Sequence, residues 1–216
     1  MKSVAAVIPA FNEDHAIEAV VSKVREYADP IVIDDASSDN TAVLAQKSGA
    51  RVVRHSINQG YEHALESGFQ LAMNMGYEYI ITLDADGQHN PQLINDFINI
   101  LENGCDVVVG RRDQMQRISE VLFAFLGNRI WGISDPLCGM KAYRRIALAT
   151  LVSGYQFDSV GTKYAIRAAK SGLKVGQLNV RTHPRIGQSR FGQGWKANKR
   201  ILWAIARNLL DMYPAE

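Results

Sequence analysis

Apolar and polar positions follow two rhythms over the first half of the chain. Short apolar runs rich in β-branched residues, at 3–8, PIVIDD, RVVRH, YEYIITLD and DVVVG, have the length of buried strands. Between them apolar residues repeat with a helical period. Ile17, Val20, Val21 and Val24 fall at i, i+3, i+4 and i+7, as do Ile94, Phe97, Ile98 and Leu101. Start and stop signals frame these segments. SSDNTAVLAQKSG opens on Ser and Asp and closes at Gly49, and a further helix is predicted over about 60–75. Asn90 and Pro91 read as the N-cap and first residue of a helix that ends at Gly104. Strand and helix alternate five times, which predicts a mostly parallel α/β sheet with helices on both faces.

Beyond Gly110 the regularity breaks. Residues 117–131 have helical length, but Ile118, Val121, Leu122, Phe123, Phe125, Leu126, Ile130 and Trp131 go all round the helix. A helix of that kind is buried, or lies against lipid or a partner. SDPLCGMKAYRR reads as a loop entering a strand, with Arg144 and Arg145 as a solvated helix start. A helix over about 158–171, the strand LKVGQLNVR, a polar glycine-rich loop THPRIGQSRFGQG and a last helix over 195–212 follow. In that last helix Lys196, Arg200, Trp203 and Arg207 share one stripe, opposite Ile201, Ile205, Leu209 and Met212. A basic, Trp-bearing outer stripe suits a peripheral membrane helix, and pairing of these helices in a homodimer is the alternative.

Composition narrows the class. The chain has 216 residues, 47% hydrophobic and 21% charged, the balance of a soluble globular protein with one large domain or one domain and an appendage. A formal charge of +2 gives no reason to expect nucleic acid, so any basic function is local. Cys105 and Cys138 have neither a disulfide-framework nor a metal-site spacing, which suits a reducing compartment, and Cys138 reads as a small buried residue. The opening apolar run is broken by Pro9 and reaches Glu13 too soon for a signal peptide, and no apolar run of membrane-spanning length occurs.

The chemistry collects where parallel α/β sheets bind ligands, beyond the carboxyl ends of the strands. PAFNE, DDASSDN, NQG and DADGQH follow predicted strands one to four. Any one of them alone would pass for a helix cap; four at one edge point to a site. GxGxxG and GxxxxGK[ST] are both missing, so dinucleotide and P-loop readings lose support. Asp84 and Asp86 repel each other unless a cation or water intervenes. With Gln88 they offer hard oxygen ligands suited to Mg²⁺ or Mn²⁺, which commonly takes one or two carboxylates plus substrate phosphates. His89 is read as a partner of the helix start at Asn90 rather than a ligand, His15, His55 and His63 receive no role, and His183 lies in the loop with Arg185.

VIPAFNE, IDDASSDNT, NQG and LDADGQHNP, in this order, resemble family 2 glycosyltransferases of the GT-A fold. VVVGRR, the apolar helix, SDPLCGMKAYRR and RIGQSRFG look more narrowly like the branch of dolichol-phosphate mannose synthases and polyprenyl-phosphate glycosyltransferases. The resemblance covers residues 3 to about 192. It implies a Rossmann-like catalytic domain over 1–192, with a nucleotide-sugar half to about 112 and an acceptor half over about 113–192, and then an amphipathic helix over 193–216. By the same resemblance Pro9, Ala10, Asn12 and Glu13 contact a UDP- or GDP-sugar, and Asp35 reads its base or ribose. Asp84, Asp86 and Gln88 hold the metal and diphosphate, and Arg112, Arg185, Ser189 and Arg190 hold phosphate. Asp86 and Asp135 are the acids assigned to catalysis, Asp135 near the acceptor.

Two departures stand out. An acid-Thr-acid pattern common in relatives is replaced by VGTKYAIRA, with Lys163 near the second acid, and the last Lys of the acceptor loop is Arg190. The implied reaction is inverting transfer of a sugar to a polyprenyl phosphate, by an enzyme held at the cytoplasmic face of a membrane without spanning it. A sugar hydroxyl as acceptor would require a base, for which Asp135 is the candidate. A nucleotidyltransferase lacks its usual Gly-rich, Arg/Lys-bearing loop in PAFNEDHA, and a non-catalytic sugar-nucleotide-binding protein would not need Asp84, Asp86 and Asp135 intact.

Overall fold

All seven residues of β1 (Val4–Ala10) are buried, which requires an apolar layer on each side of the strand. In the computed structural model, which describes residues 3–113, 115, 117–152 and 160–184, helices supply both layers around one central sheet. The chain continues through α1 (Ile17–Val24), β2 (Asp29–Asp34), α2 (Thr41–Lys47), β3 (Arg51–Arg54), α3 (Tyr61–Asn74), β4 (Tyr79–Thr82) and α4 (Leu93–Glu102). It then forms β5 (Val107–Arg112), α5 (Ile118–Trp131), β6 (Lys141–Arg144), α6 (Arg145–Val152), α7 (Val160–Lys170) and β7 (Val175–Val180). The strands lie in the order β3-β2-β1-β4-β6-β5-β7.

One core joins Ala6 and Ile8 of β1 to Val21 and Val24 of α1 and to Phe97 and Leu101 of α4. The other joins Ala5 and Val7 to Leu65 and Phe69 of α3, Phe123 of α5, Leu148 of α6 and Ala165 of α7. Alternate side chains of β1 thus serve opposite faces, as the pleat dictates. Gly68 lets α3 approach β1: a Cβ there would lie 2.2 Å from Val7 Cγ1.

The sheet is mostly parallel, as the alternation predicts, with one exception. β6 is antiparallel to both β4 and β5 and separates them. Lys141 at the start of β6 lies opposite Thr82 at the end of β4. The segment entering β6 is therefore delivered to the carboxyl edge of the sheet, beside the acids that follow β4.

Several expectations change. α4 begins at Leu93, because Asn90 uses its Oδ1 to accept the Gln92 N–H at 3.1 Å and forms a turn rather than the cap. Arg144 is not a solvated helix start: it donates to the carbonyls of Leu101 and Cys105 at 2.6 and 3.0 Å and so ties β6 to the end of α4. α6 directly follows β6, and the exposed Arg145 is its first residue, so of the expected helix-start pair Arg145 alone has that place. α5 keeps its apolar residues on both sides, as expected, but polar Ser119 and Glu120 are among those that turn inward. Ser119, Glu120, Phe123, Gly127 and Trp131 turn inward, whereas Ile118, Val121, Leu122 and Phe125 are exposed. The predicted helix over 195–212 lies outside the described residues.

Candidate active site

The acids after β4 are not on the strand. β4 stops at Thr82, whose hydroxyl donates to Gly139 O at 2.6 Å, and residues 85 and 86 form a turn. Asp86 is 4% exposed and its Oδ1 accepts the Gln88 N–H at 3.0 Å across Gly87, whose φ is 77°. Asp84 is held from three sides. Its N–H donates to His89 Nδ1 at 3.2 Å, its Oδ1 accepts the Tyr61 hydroxyl at 3.0 Å, and its Oδ2 lies against Gly139. A Cβ at Gly139 would sit 2.3 Å from that oxygen, so any larger residue must displace the carboxylate. His89 is buried and partners Asp84 rather than the helix start, and accepting at Nδ1 leaves its proton on Nε2. Burial of the Tyr61 hydroxyl end, with the negative charges of Asp84 and Glu62, holds the phenol pKa well above its ordinary value.

At the carboxyl ends of β1 and β2, Pro9 and Ala10 lie opposite Ile33 and Asp34. Asn12 has a φ of 51°, donates its N–H to Ser37 Oγ at 2.8 Å and accepts the Ser38 N–H at 2.7 Å. Glu13 is buried; its N–H reaches Thr41 Oγ1 at 2.7 Å and its carbonyl starts α1. These bonds lace the loop after β1 to the loop after β2. Asp35 accepts from His55 Nδ1 at 2.7 Å, Gln59 N–H at 2.9 Å and Gly60 N–H at 2.7 Å. A carboxylate has about four lone-pair sites, so one remains for a ligand. His55, which sequence reasoning left without a role, also meets Ser67 Oγ at 2.9 Å and locks Asp35 in place. Asp34 is fully buried and pairs with Arg54 at 3.1 Å.

At the end of β5 runs a chain of alternating charge. Arg112 grips Asp135 with Nε at 2.7 Å and Nη2 at 3.0 Å. Its Nη1 lies 3.6 Å from buried Glu120, which in turn pairs with Arg117 at 2.6 Å. Burial alone would lower the guanidinium pKa, but the hydrogen bonds and charge of Asp135 outweigh it and hold the pKa above its ordinary value. Lys141, also unforeseen, is buried with its Nζ on Cys138 O, and burial lowers its pKa against the opposing charges of Asp135, Glu62 and Asp84. Burial pushes the Cys138 thiol up to about 12, in keeping with a packing role. Arg185, Ser189 and Arg190 lie outside the described residues. The stem leading to them does not. His183 donates its N–H to Gln88 O at 2.9 Å and accepts from Gln88 Nε2 at 3.4 Å, which sets the start of that loop over the acids.

The structure thus gathers Asp84, Asp86 and Gln88 at one end of β4, with Asp35 and Asn12 on one side and Arg112 and Asp135 on the other. Among the described residues no group of three His, Cys, Asp or Glu side chains is arranged to hold a metal by itself. Two carboxylates and an amide do match a hard cation that completes its shell with phosphate and water.

A family model described as Glycosyl transferase family 2 matches residues 5–121, which include Asp35, Asp84, Asp86 and Arg112. A dolichyl-phosphate hexose transferase of Haloferax volcanii is 26% identical over 214 residues, covering 92% of this chain and 92% of its own length. An undecaprenyl-phosphate 4-deoxy-4-formamido-L-arabinose transferase of Serratia proteamaculans is 30% identical over 175 residues, 72% of this chain and 53% of its own length. Among solved structures, glucosyl-3-phosphoglycerate synthase from Mycobacterium tuberculosis, in complex with Mn²⁺, UDP and glucosyl-3-phosphoglycerate, matches with a TM-score of 0.76. At 22% identity over 100% of this chain and 82% of that one, it bears on the fold alone.

Proposed function

The chain belongs to glycosyl transferase family 2, and from that premise we propose that it is a metal-dependent inverting enzyme moving a sugar from a nucleoside-diphosphate sugar to a polyprenyl phosphate. The Arg112–Asp135 pair carries the acceptor class. A hydroxyl acceptor must lose its proton as it attacks, and Asp135 is the acid available to take it. Three of its about four lone-pair sites are already taken by Arg112, through Nε at 2.7 Å, Nη2 at 3.0 Å and the backbone N–H at 3.2 Å. A phosphate monoester needs no such base: its second pKa is about 6, so it arrives as an anion. An always-charged guanidinium fixed by an acid suits it. Asp135 then orients Arg112 instead of abstracting a proton. The names of similar proteins that act on dolichyl and undecaprenyl phosphates support the same class.

The donor is proposed to bind along the carboxyl edges of β1, β2 and β4. Pro9, Ala10, Asn12 and Glu13 bound its nucleoside, and Asp35 offers its remaining lone-pair site to the base or ribose. Asp84, Asp86 and Gln88 would hold Mg²⁺ or Mn²⁺, and Gln88, donating through Nε2, keeps its carbonyl oxygen for the cation. When bound, such a cation neutralises the diphosphate and stabilises it as a leaving group. Arg112 holds the acceptor phosphate on the other side of the anomeric carbon, so its oxygen attacks opposite the departing diphosphate and the configuration inverts. Arg185, Ser189 and Arg190 join Arg112 on their sequence match alone.

We place the reaction at a membrane surface. Ile118, Val121, Leu122 and Phe125 form an exposed apolar stripe on α5 with Arg129 among them, while the opposite face holds Glu120 beside Arg112. One helix thus offers apolar surface to a lipid and polar groups to its phosphate. No helix among the described residues is long and apolar enough to cross a membrane. A second copy of the chain is the competing occupant of the stripe. The test is incubation with labelled UDP- and GDP-sugars, Mn²⁺ and a short-chain polyprenyl phosphate. Label should enter the organic phase and stop doing so with excess chelator. Donor hydrolysis without lipid labelling, or transfer that survives chelation, overturns the proposal.

A further inference from the structure

We propose that Tyr61 is a positioning residue for Asp84, holding the carboxylate in the orientation that receives the cation; this rests on the metal-dependent reading above. The Tyr61 hydroxyl donates to Asp84 Oδ1 at 3.0 Å, while Gly139 backs the other oxygen and His89 takes the N–H. The carboxylate therefore has one orientation, and only Tyr61 contributes a side-chain donor to it at hydrogen-bond distance among the described residues.

Tyr61 is itself placed from the nucleotide side. It is the first residue of α3 and follows Gly60, whose φ of 92° strains any side chain other than hydrogen. The N–H groups of Gln59 and Gly60 both end on Asp35, and Glu62 accepts the Gly161 N–H at 2.9 Å. The start of α3 is thereby pinned to β2 on one side and to α7 on the other. Asp35, Gly60, Tyr61 and Asp84 form a continuous path from the acid proposed to read the nucleoside to an acid proposed to hold its diphosphate. The Tyr61 residue is 42% exposed, so its ring is no core element, and removing the hydroxyl leaves its packing unchanged.

The experiment measures Mn²⁺ binding with inorganic pyrophosphate by isothermal titration calorimetry, which reads the metal site without base or sugar. Wild type, Tyr61→Phe and Asp84→Asn are compared, each with its melting midpoint in the absence of metal. Loss of an outer-shell partner lowers metal affinity about 10- to 100-fold, and Tyr61→Phe should do so. Its midpoint should move by no more than about 4 °C. Asp84→Asn should lose binding. Wild-type affinity in Tyr61→Phe with binding lost in Asp84→Asn overturns the positioning role and leaves the metal reading standing. Undiminished binding in Asp84→Asn overturns the metal reading itself. A midpoint far below wild type in Tyr61→Phe makes the residue structural and also overturns the proposal.

Discussion

Gly139 and Ala36 show how much of the site depends on single backbone positions. Gly139 lies against Asp84, and a methyl group there would meet Oδ2 at 2.3 Å and push the carboxylate away. Gly139→Ala should cut metal-dependent turnover about 100-fold, the cost of a displacement near 1 Å at a reacting centre. Its melting midpoint should change far less, which calorimetry would check. Ala36 behaves oppositely. Its φ of 61° is left-handed, in the loop that Asn12 and Arg54 brace through Ser37 and Ser38. An L residue there costs about 1–2 kcal/mol, partly offset in a glycine variant by about 0.5–1 kcal/mol of lost chain entropy. Ala36→Gly should raise the melting midpoint by up to about 4 °C; a lower midpoint would contradict the strain. Asp84, Asp86 and Gln88 were legible in sequence because their spacing is local. Tyr61, Gly139, His55 and Lys141 were not, because each acts across the fold on a residue at least 12 positions away or on a loop brought in by β6.

Among the elements, α5 and the end of β7 carry the next expectations. α5 was legible as a helix and its apolar count as unusual, but sequence could not say which side turned inward. That choice is made by Glu120 pairing with Arg112 and by Gly127 admitting Pro136. Phe125 is 68% exposed in the apolar stripe. Phe125→Glu should leave the melting midpoint nearly unchanged and reduce flotation with anionic liposomes several-fold. Unaltered flotation, or a dimer that the substitution splits, would assign the stripe to another partner. Just past the ends of β5 and β7, Asp113 Oδ1 accepts from the Thr182 N–H at 3.2 Å and its hydroxyl at 3.1 Å. Those bonds, the backbone one foremost, hold the Asp113 pKa below its ordinary 3.8. A depressed carboxyl pKa stabilises the folded chain above the ordinary value, and that contribution is lost as pH falls through the folded value. Thr182→Val keeps the N–H and removes the hydroxyl, so a carboxyl-carbon NMR titration should show the pKa rising part of the way back. No change would mean that the hydroxyl bond is absent in solution.

At the scale of the whole molecule, one topological feature joins the early strands to the later ones. The strand–helix alternation made the first half of the chain legible, since five apolar runs with helices between them leave little choice of sheet. Nothing in that pattern announced that β6 would enter antiparallel between β4 and β5. A four-residue strand carries too little periodicity to show its direction, which here follows from pairing Lys141 with Thr82 on one side and Val109 on the other. That insertion brings Asp135 to Arg112 and Gly139 to Asp84, and so gathers both groups on one edge of the sheet. The central claim is that this edge serves an anionic acceptor and supplies no base. A competition assay tests it most directly, with equal amounts of a polyprenyl phosphate, the matching polyprenol and a methyl hexoside, one labelled donor and Mn²⁺ in a single vessel. The account predicts label on the polyprenyl phosphate alone, attached through phosphate, with the anomeric configuration inverted. Label on the polyprenol or the hexoside would contradict it.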